Sequence, residues 1–132
     1  MQLTYNTDYS LRVLIYLGEH QHDSVSTKNI SDYFKISQNH LVKVVNKLGK
    51  LGYLNLKRGR YGGGISLAKN PQEINIGEVV SHMEPFDLVE CFNEEKNTCL
   101  LTSKCRLKGS LYKARKAFMN ELNKLTLQDI IS

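Results

Sequence analysis

No apolar run in this 132-residue chain approaches the roughly 18 residues that a membrane span requires. The N-terminus has neither the basic n-region nor the long apolar stretch of a signal peptide, so the expectation is a cytoplasmic protein with no membrane partner. Repeats and low-complexity tracts are missing too. Cysteine is scarce and odd in number: three residues, all within positions 91 to 105, where a secreted disulfide framework would leave one thiol unpaired. Reduced thiols or a metal centre fit that count better. There is no Cys-x-x-Cys, which weakens the case for a zinc ribbon or a thioredoxin-type redox pair. No set of nucleophile, base and orienting group stands out, and three cysteines are too few for a ferredoxin-like electron carrier, so no enzyme is expected.

The most informative absence is of negative charge. From Tyr33 to Gln72 there are eight Lys or Arg side chains and no Asp or Glu. Soluble surfaces normally mix both signs, so 40 residues without a carboxylate imply a polyanionic partner. Residues 1–70 hold ten basic and four acidic groups, residues 71–103 one and seven, and residues 104–132 seven and two. The basic half and the acidic stretch that leads into the cysteines are expected to do different jobs. At 41% hydrophobic and 23% charged, the chain suits one compact domain or two small packed pieces.

Periodicity predicts mainly helices with one small β-hairpin. Tyr9, Val13, Tyr16 and Leu17 give the first helix from Asn6 to His20 a common side, with Thr7 as its N-cap. Ser26 or Thr27 caps a short second helix bearing Ile30, Tyr33 and Phe34, Lys35 and Ile36 make a turn, and Ser37 caps a third. In that third helix, Gln38 to Leu51, the residues Leu41, Val44, Val45, Leu48 and Leu51 share one side and Gly52 ends it. The period then changes to two on either side of Arg58-Gly59-Arg60-Tyr61-Gly62-Gly63-Gly64, the signature of a hairpin with a glycine-rich tip. Ile76, Val79, Val80 and Met83 space a short helix stopped by Pro85. From about Ser103 to Leu125 a near-heptad stripe of Leu107, Leu111, Ala114, Phe118, Leu122 and Leu125 predicts a helix roughly 30 Å long. Thr126 and Asp129 open a last turn.

Helix, turn, helix and a glycine-rich hairpin make a winged helix. The expected division is a winged helix-turn-helix unit over 1–70, a short helix and cysteine-bearing loop over 71–102, and a dimerisation helix with its terminal turn over 103–132. The outer side of the third helix offers Asn39, Lys43, Asn46 and Lys50, joined at its start by Gln38 and His40. Asn and Gln can bind adenine bidentately, Lys reaches guanine acceptors or phosphates, and a helix fits the major groove of double-stranded DNA. The wing adds Arg58, Arg60 and Tyr61. A lone polar helix side is usually just solvated; the acid-free stretch around this one reverses that prior. Because such units read two half-sites, the stripe on the long helix is expected to form a two-fold homodimer.

Cys91, Cys99 and Cys105 read C-x7-C-x5-C, the first two on an irregular polar loop and the third at the start of the long helix. Helix dipole, Lys104 and Arg106 would all favour an anionic sulfur at Cys105. Three unrelated free thiols are the plainer reading, though a loop of Asn, Glu and Lys is poor core material. A Cys₃His zinc site with His82, or a thiol switch, stays open beside a cluster.

Four stretches together resemble the Rrf2 family of bacterial regulators, and within it the NsrR branch. They are Met1-Gln2-Leu3-Thr4 with Thr7-Asp8-Tyr9, the wing from Arg58 to Gly64, Ile76-Gly77-Glu78-Val79-Val80, and Cys105-Arg106-Leu107-Lys108. The resemblance implies a homodimeric repressor whose three cysteines hold an iron–sulfur cluster, 4Fe-4S ahead of 2Fe-2S, with nitric oxide as the signal that weakens operator binding. It also implies that Asp8 of the partner subunit is the fourth ligand. The IscR branch would instead place a histidine three residues after the third cysteine, where this chain has Lys108, an ammonium that cannot coordinate. Without the resemblance, Asp8 reads as a helix N-terminal carboxylate favoured by the macrodipole.

Overall fold

The computed structural model describes residues 1–58 and 64–131. It shows a mostly helical chain with one hairpin: α1 (Tyr5–Glu19), α2 (Thr27–Phe34), α3 (Gln38–Lys50), β1 (Leu54–Lys57), β2 (Gly64–Leu67), α4 (Ile76–Met83), α5 (Arg106–Leu122) and α6 (Leu127–Ile131). The two strands pair antiparallel with Leu54 opposite Leu67 and Lys57 opposite Gly64. The expected winged helix-turn-helix followed by a C-terminal helix is present.

α1 begins one residue earlier than the sequence suggested, but its cap lies about a turn earlier. Thr4, not Thr7, is its N-cap, and Thr7 is a fully buried residue of the first turn. The buried side of α1 runs through Thr7, Ser10, Val13, Leu14, Leu17 and Gly18, leaving Tyr9 and Tyr16 half-buried on its flank. Small residues win the inner side because another helix must come close. A Cβ at Gly18 would lie 3.0 Å from the Ile131 side chain, so α6 packs directly on α1. Thr126 and Asp129 cap α6 reciprocally, as expected.

The turn between α2 and α3 is set by Lys35 in the left-handed region at φ 57° and by Ser31, whose hydroxyl donates to the Ile36 carbonyl at 2.6 Å. Ser26 and Asn29 form a reciprocal capping box on α2. Gly52, at φ 88°, ends α3 in a conformation that a side chain would resist. Leu41, Val44, Val45 and Leu48 of α3 join Val13, Leu14 and Leu17 of α1, Ile30 of α2 and Val79 and Val80 of α4 in one core. Against the side of α4, Gly77 admits α5, since a Cβ there would strike the side chain and backbone nitrogen of Asn123.

α5 is shorter than the hydrophobic stripe: 17 residues, about 26 Å. Thr102–Lys104 form a 3-10 turn before it, and the Leu125 carbonyl after it accepts from Ile76 N at 2.9 Å, which draws the chain out of the helix. No residue of α5 is buried. Phe118, Met119 and Leu122 lean on the core, whereas Leu107 is 62% exposed and Leu111 only half-covered.

Candidate nucleic-acid interface and candidate metal centre

The amphipathic sequence of α3 sorts cleanly: with Leu41, Val44, Val45 and Leu48 turned inward, Gln38, Asn39, Lys43, Asn46, Lys47 and Lys50 are all exposed on the other side. Lys47 belongs to that side as well, beyond the residues that the sequence pattern singles out. None of these cations, nor Lys57 or Arg58, is paired with a carboxylate among the described residues, whose ion pairs are Asp8–Arg12, Glu78–His82 and Glu121–Lys124. His40 is different. It is half-buried against α1, its Nε2 3.0 Å from Asn6 Oδ1 and its ring 4.9 Å from that of Tyr9. It ties the start of α3 to α1 rather than standing free.

The wing is held at the end of α3 by close approach, since a Cβ on Gly49 would lie 2.8 Å from Leu56 Cδ1. Arg58 is exposed at the end of β1; Arg60 and Tyr61 lie outside the described residues.

The three cysteines occupy three environments. Cys91 is buried in the 3-10 turn Glu90–Phe92, Cys99 is exposed, and Cys105 is half-buried at the N-cap of α5, where no side chain caps the helix. All three thiols are free of disulfides. The turn that carries Cys91 is fastened to α5: Phe92 stacks on Tyr112 with ring centroids 4.1 Å apart, and the Arg115 guanidinium lies 5.0 and 4.7 Å from the two rings. Arg115 also donates to the Phe86 carbonyl at 3.4 Å. Phe86 itself is held at φ 56°, a strained conformation for an aromatic residue, by its burial against Phe118.

The donor set suits a thiolate-bound iron centre chemically: three unpaired thiols, one at an uncapped helix N-terminus between Lys104 and Arg106. The single chain does not gather them. Among the described residues no three His, Cys, Asp or Glu side chains converge on a point that could hold a metal ion, and His82 sits instead on α4, 3.8 Å from Glu78. Asp8 lies far along the chain in the first turn of α1, where both its oxygens accept from Arg12 at 3.0 and 3.1 Å, beside an open cleft lined by Met1, Leu3 and Leu11.

Sequence reasoning missed one polar cluster. Oε1 of Glu84, at the end of α4, accepts from Thr4 N at 2.8 Å, Thr4 Oγ1 at 3.1 Å and Thr7 Oγ1 at 2.8 Å. A charge placed 80 residues from the helix it caps leaves no local pattern to read.

The family model of Rrf2, an iron-dependent transcriptional regulator, matches residues 3–132. The chain belongs to the Rrf2 family. Curated relatives include the HTH-type transcriptional regulator NsrR of Bacillus licheniformis, 55% identical over 99% of this chain and 92% of the relative. NsrR of Shouchella clausii is 52% identical over 99% and 89%, and NsrR of Bacillus subtilis 48% over 99% and 90%. Among solved structures, T. potens IscR superposes with a TM-score of 0.75 at 23% identity, covering 99% of this chain and 86% of that one. CymR of B. subtilis gives 0.75 at 22%, covering 99% and 96%. At those identities the two structures speak for the fold. This Rrf2 protein is therefore a DNA-binding transcriptional regulator of the NsrR type and not an enzyme, and no helix among its described residues is long and apolar enough to cross a membrane.

Proposed function

We propose that this Rrf2 regulator is a homodimeric repressor that binds operator DNA through α3 and the wing, under the control of an iron–sulfur cluster and nitric oxide. The observation that carries the reading is the coexistence, in a chain about half identical to regulators named NsrR, of an acid-free α3 surface and three free thiols in a single segment. In this reading residues 1–70 read DNA, with Gln38, Asn39, Lys43, Asn46 and Lys50 on the groove and Arg58, Arg60 and Tyr61 on the wing. His40 sets the pose of α3 through Asn6.

Cys91, Cys99 and Cys105 would hold the cluster, 4Fe-4S ahead of 2Fe-2S. When bound, it supplies iron that a diatomic gas can reach. The chain's own residues do the rest. The Phe92–Tyr112–Arg115 stack holds the Cys91 turn on α5, and Cys105 stands at the N-cap of α5, whose first amides no side chain caps. Asp8 of the partner subunit would complete the ligand set; each of its oxygens keeps a lone pair beyond the bond from Arg12. Dimerisation through the uncovered side of α5 would bring the two chains together.

Anaerobic purification with iron and sulfide assays, followed by operator binding with and without nitric oxide, tests the reading. A brown protein that loses operator affinity on exposure is expected. A colourless protein that contains zinc or only thiols, or equal operator binding by loaded and stripped protein, would overturn the sensing part and leave the DNA-binding part standing.

A further inference from the structure

Between the first turn of α2 and the base of the hairpin runs a cleft of about 400 Å³. Thr27 and Lys28 line it from α2, Lys57 and Arg58 from the hairpin, and the apolar Val45 and Leu56 line it as well. No carboxylate lines it, and Lys28, Lys57 and Arg58 are exposed with no ion-pair partner among the described residues. Three unpaired cations around one concavity repel one another, so the arrangement costs stability unless an anion enters.

Stability offers no reason for Lys28. It stands in the first turn of α2, which carries no acidic residue, and a cation at that end of a helix opposes the macrodipole. Folding would favour Asp or Glu there. A residue that helix stability disfavours at a surface position calls for a binding role.

The separation of α2 and the hairpin is fixed by backbone contact. Ile65 N donates to the Val25 carbonyl at 2.8 Å, just before the N-cap of α2. The approach needs Gly64, where a Cβ would sit 2.9 Å from that same carbonyl oxygen. The cleft thus exists before any ligand arrives, which lowers the entropy lost on binding. It is also continuous with the outer side of α3, because Asn46 and Gln38 line it as well. A polyanion lying along α3 has to pass its mouth.

We infer that this cleft seats a phosphodiester group of the DNA strand bordering the groove that α3 reads, with Lys28 and Lys57 neutralising the phosphate and the Thr27 hydroxyl donating to it. The inference rests on the proposed DNA-facing side of α3. It adds a contact that carries no base information: the cleft sets the register of the protein on the duplex while α3 reads sequence.

The test measures affinity for a mixed-sequence DNA duplex across a salt series, with the full chain. Lys28→Ala and Lys57→Ala are each expected to lower the slope of log affinity against log salt by about one unit, with Lys28→Arg restoring it. Lys113→Ala, on exposed α5, is expected to leave the slope unchanged. Because Lys28 opposes the helix dipole, its removal should not lower the unfolding midpoint, which separates a lost contact from a lost fold. Unchanged slopes for both cleft variants, with a lowered slope for Lys43→Ala, would overturn the cleft and leave the α3 assignment intact. A change in Lys57→Ala alone would confine the contact to the wing and also overturn it. If the wild type binds while none of the three variants shifts its slope, the α3 assignment falls together with the cleft.

Discussion

The hydroxyl of Thr7, wholly buried in α1, donates to the carboxylate of Glu84 at 2.8 Å, joining the first helix to the end of α4. The same oxygen caps α1 through Thr4 N. Hydrogen bonds to charged groups contribute about 1.5–3 kcal/mol each, and a buried hydroxyl left without a partner costs its desolvation. Glu84→Ala should therefore lower unfolding free energy by about 2–3 kcal/mol in urea melts. Glu84→Gln, which keeps an acceptor, should lose less. Equal losses for both would assign the effect to packing rather than to this cap.

Tyr53 gives a pH prediction. Its side chain is 1% exposed and its hydroxyl has no hydrogen-bond partner among the described residues. Burial first, and the Glu78 carboxylate second, push its pKa up from 10.0 to about 12. The folded state thus holds the phenol proton more tightly than the unfolded chain does. The resulting stability is present below pH 10 and is lost as pH rises toward 12. The comparison is with Tyr53→Phe, which cancels every group that the two proteins share: the difference in unfolding free energy between them should shift in favour of the variant from pH 9 to pH 12.

On the DNA-facing side, Lys43→Ala should weaken binding to all sequences and reduce the salt slope by about one unit. Asn39→Ala and Asn46→Ala should change base preference with the slope retained. Arg60→Ala should behave like Lys43→Ala. His40→Ala should instead reduce folding stability by about 1 kcal/mol, because its bond to Asn6 and its contact with Tyr9 are internal. Competition binding over a salt series, with thermal melts, separates these outcomes.

Dimerisation is best tested at Leu107 and Leu111. Phe118 packs on Phe86 within the same chain, so a charge there would damage the monomer as well. Leu107→Asp and Leu111→Asp should each cost several kcal/mol of association while leaving helicity unchanged, because an unpaired carboxylate would enter an apolar seam. Sedimentation showing the wild type as a stable monomer at micromolar concentration would remove the dimer.

Cys→Ser at position 91, 99 or 105 should abolish iron and sulfide content, and Asp8→Ala should leave a labile centre. If Cys99→Ser retained full iron loading, the ligand set would need revision.

Elements whose information is local could be read directly. The hydrophobic spacing of α3, the glycine at 52 and the Thr126–Asp129 cap each depend on neighbours within a turn or two, and each stands where expected. The cap of α1 is Thr4 and not Thr7 because two threonines a turn apart can each cap a helix; Glu84, distant in sequence, decides for Thr4 by bonding it and by drawing Thr7 inside. α5 was drawn too long because a hydrophobic stripe records which residues meet apolar surroundings. It does not record where the helical hydrogen bonds stop.

By itself the sequence determined the class of protein. Charge, period and cysteine placement are additive along the chain and survive without knowledge of contacts, so a winged helix with a polyanion-facing side and a thiol segment was legible. Only the tertiary structure decided that His40 turns toward α1, that Lys28 meets Lys57 and Arg58 across a cleft, and that one chain does not gather its three thiols. Those outcomes depend on the approach of elements far apart in sequence, governed by single close contacts such as Gly64 on Val25 and Gly18 on Ile131, and a one-dimensional pattern carries no distance between them.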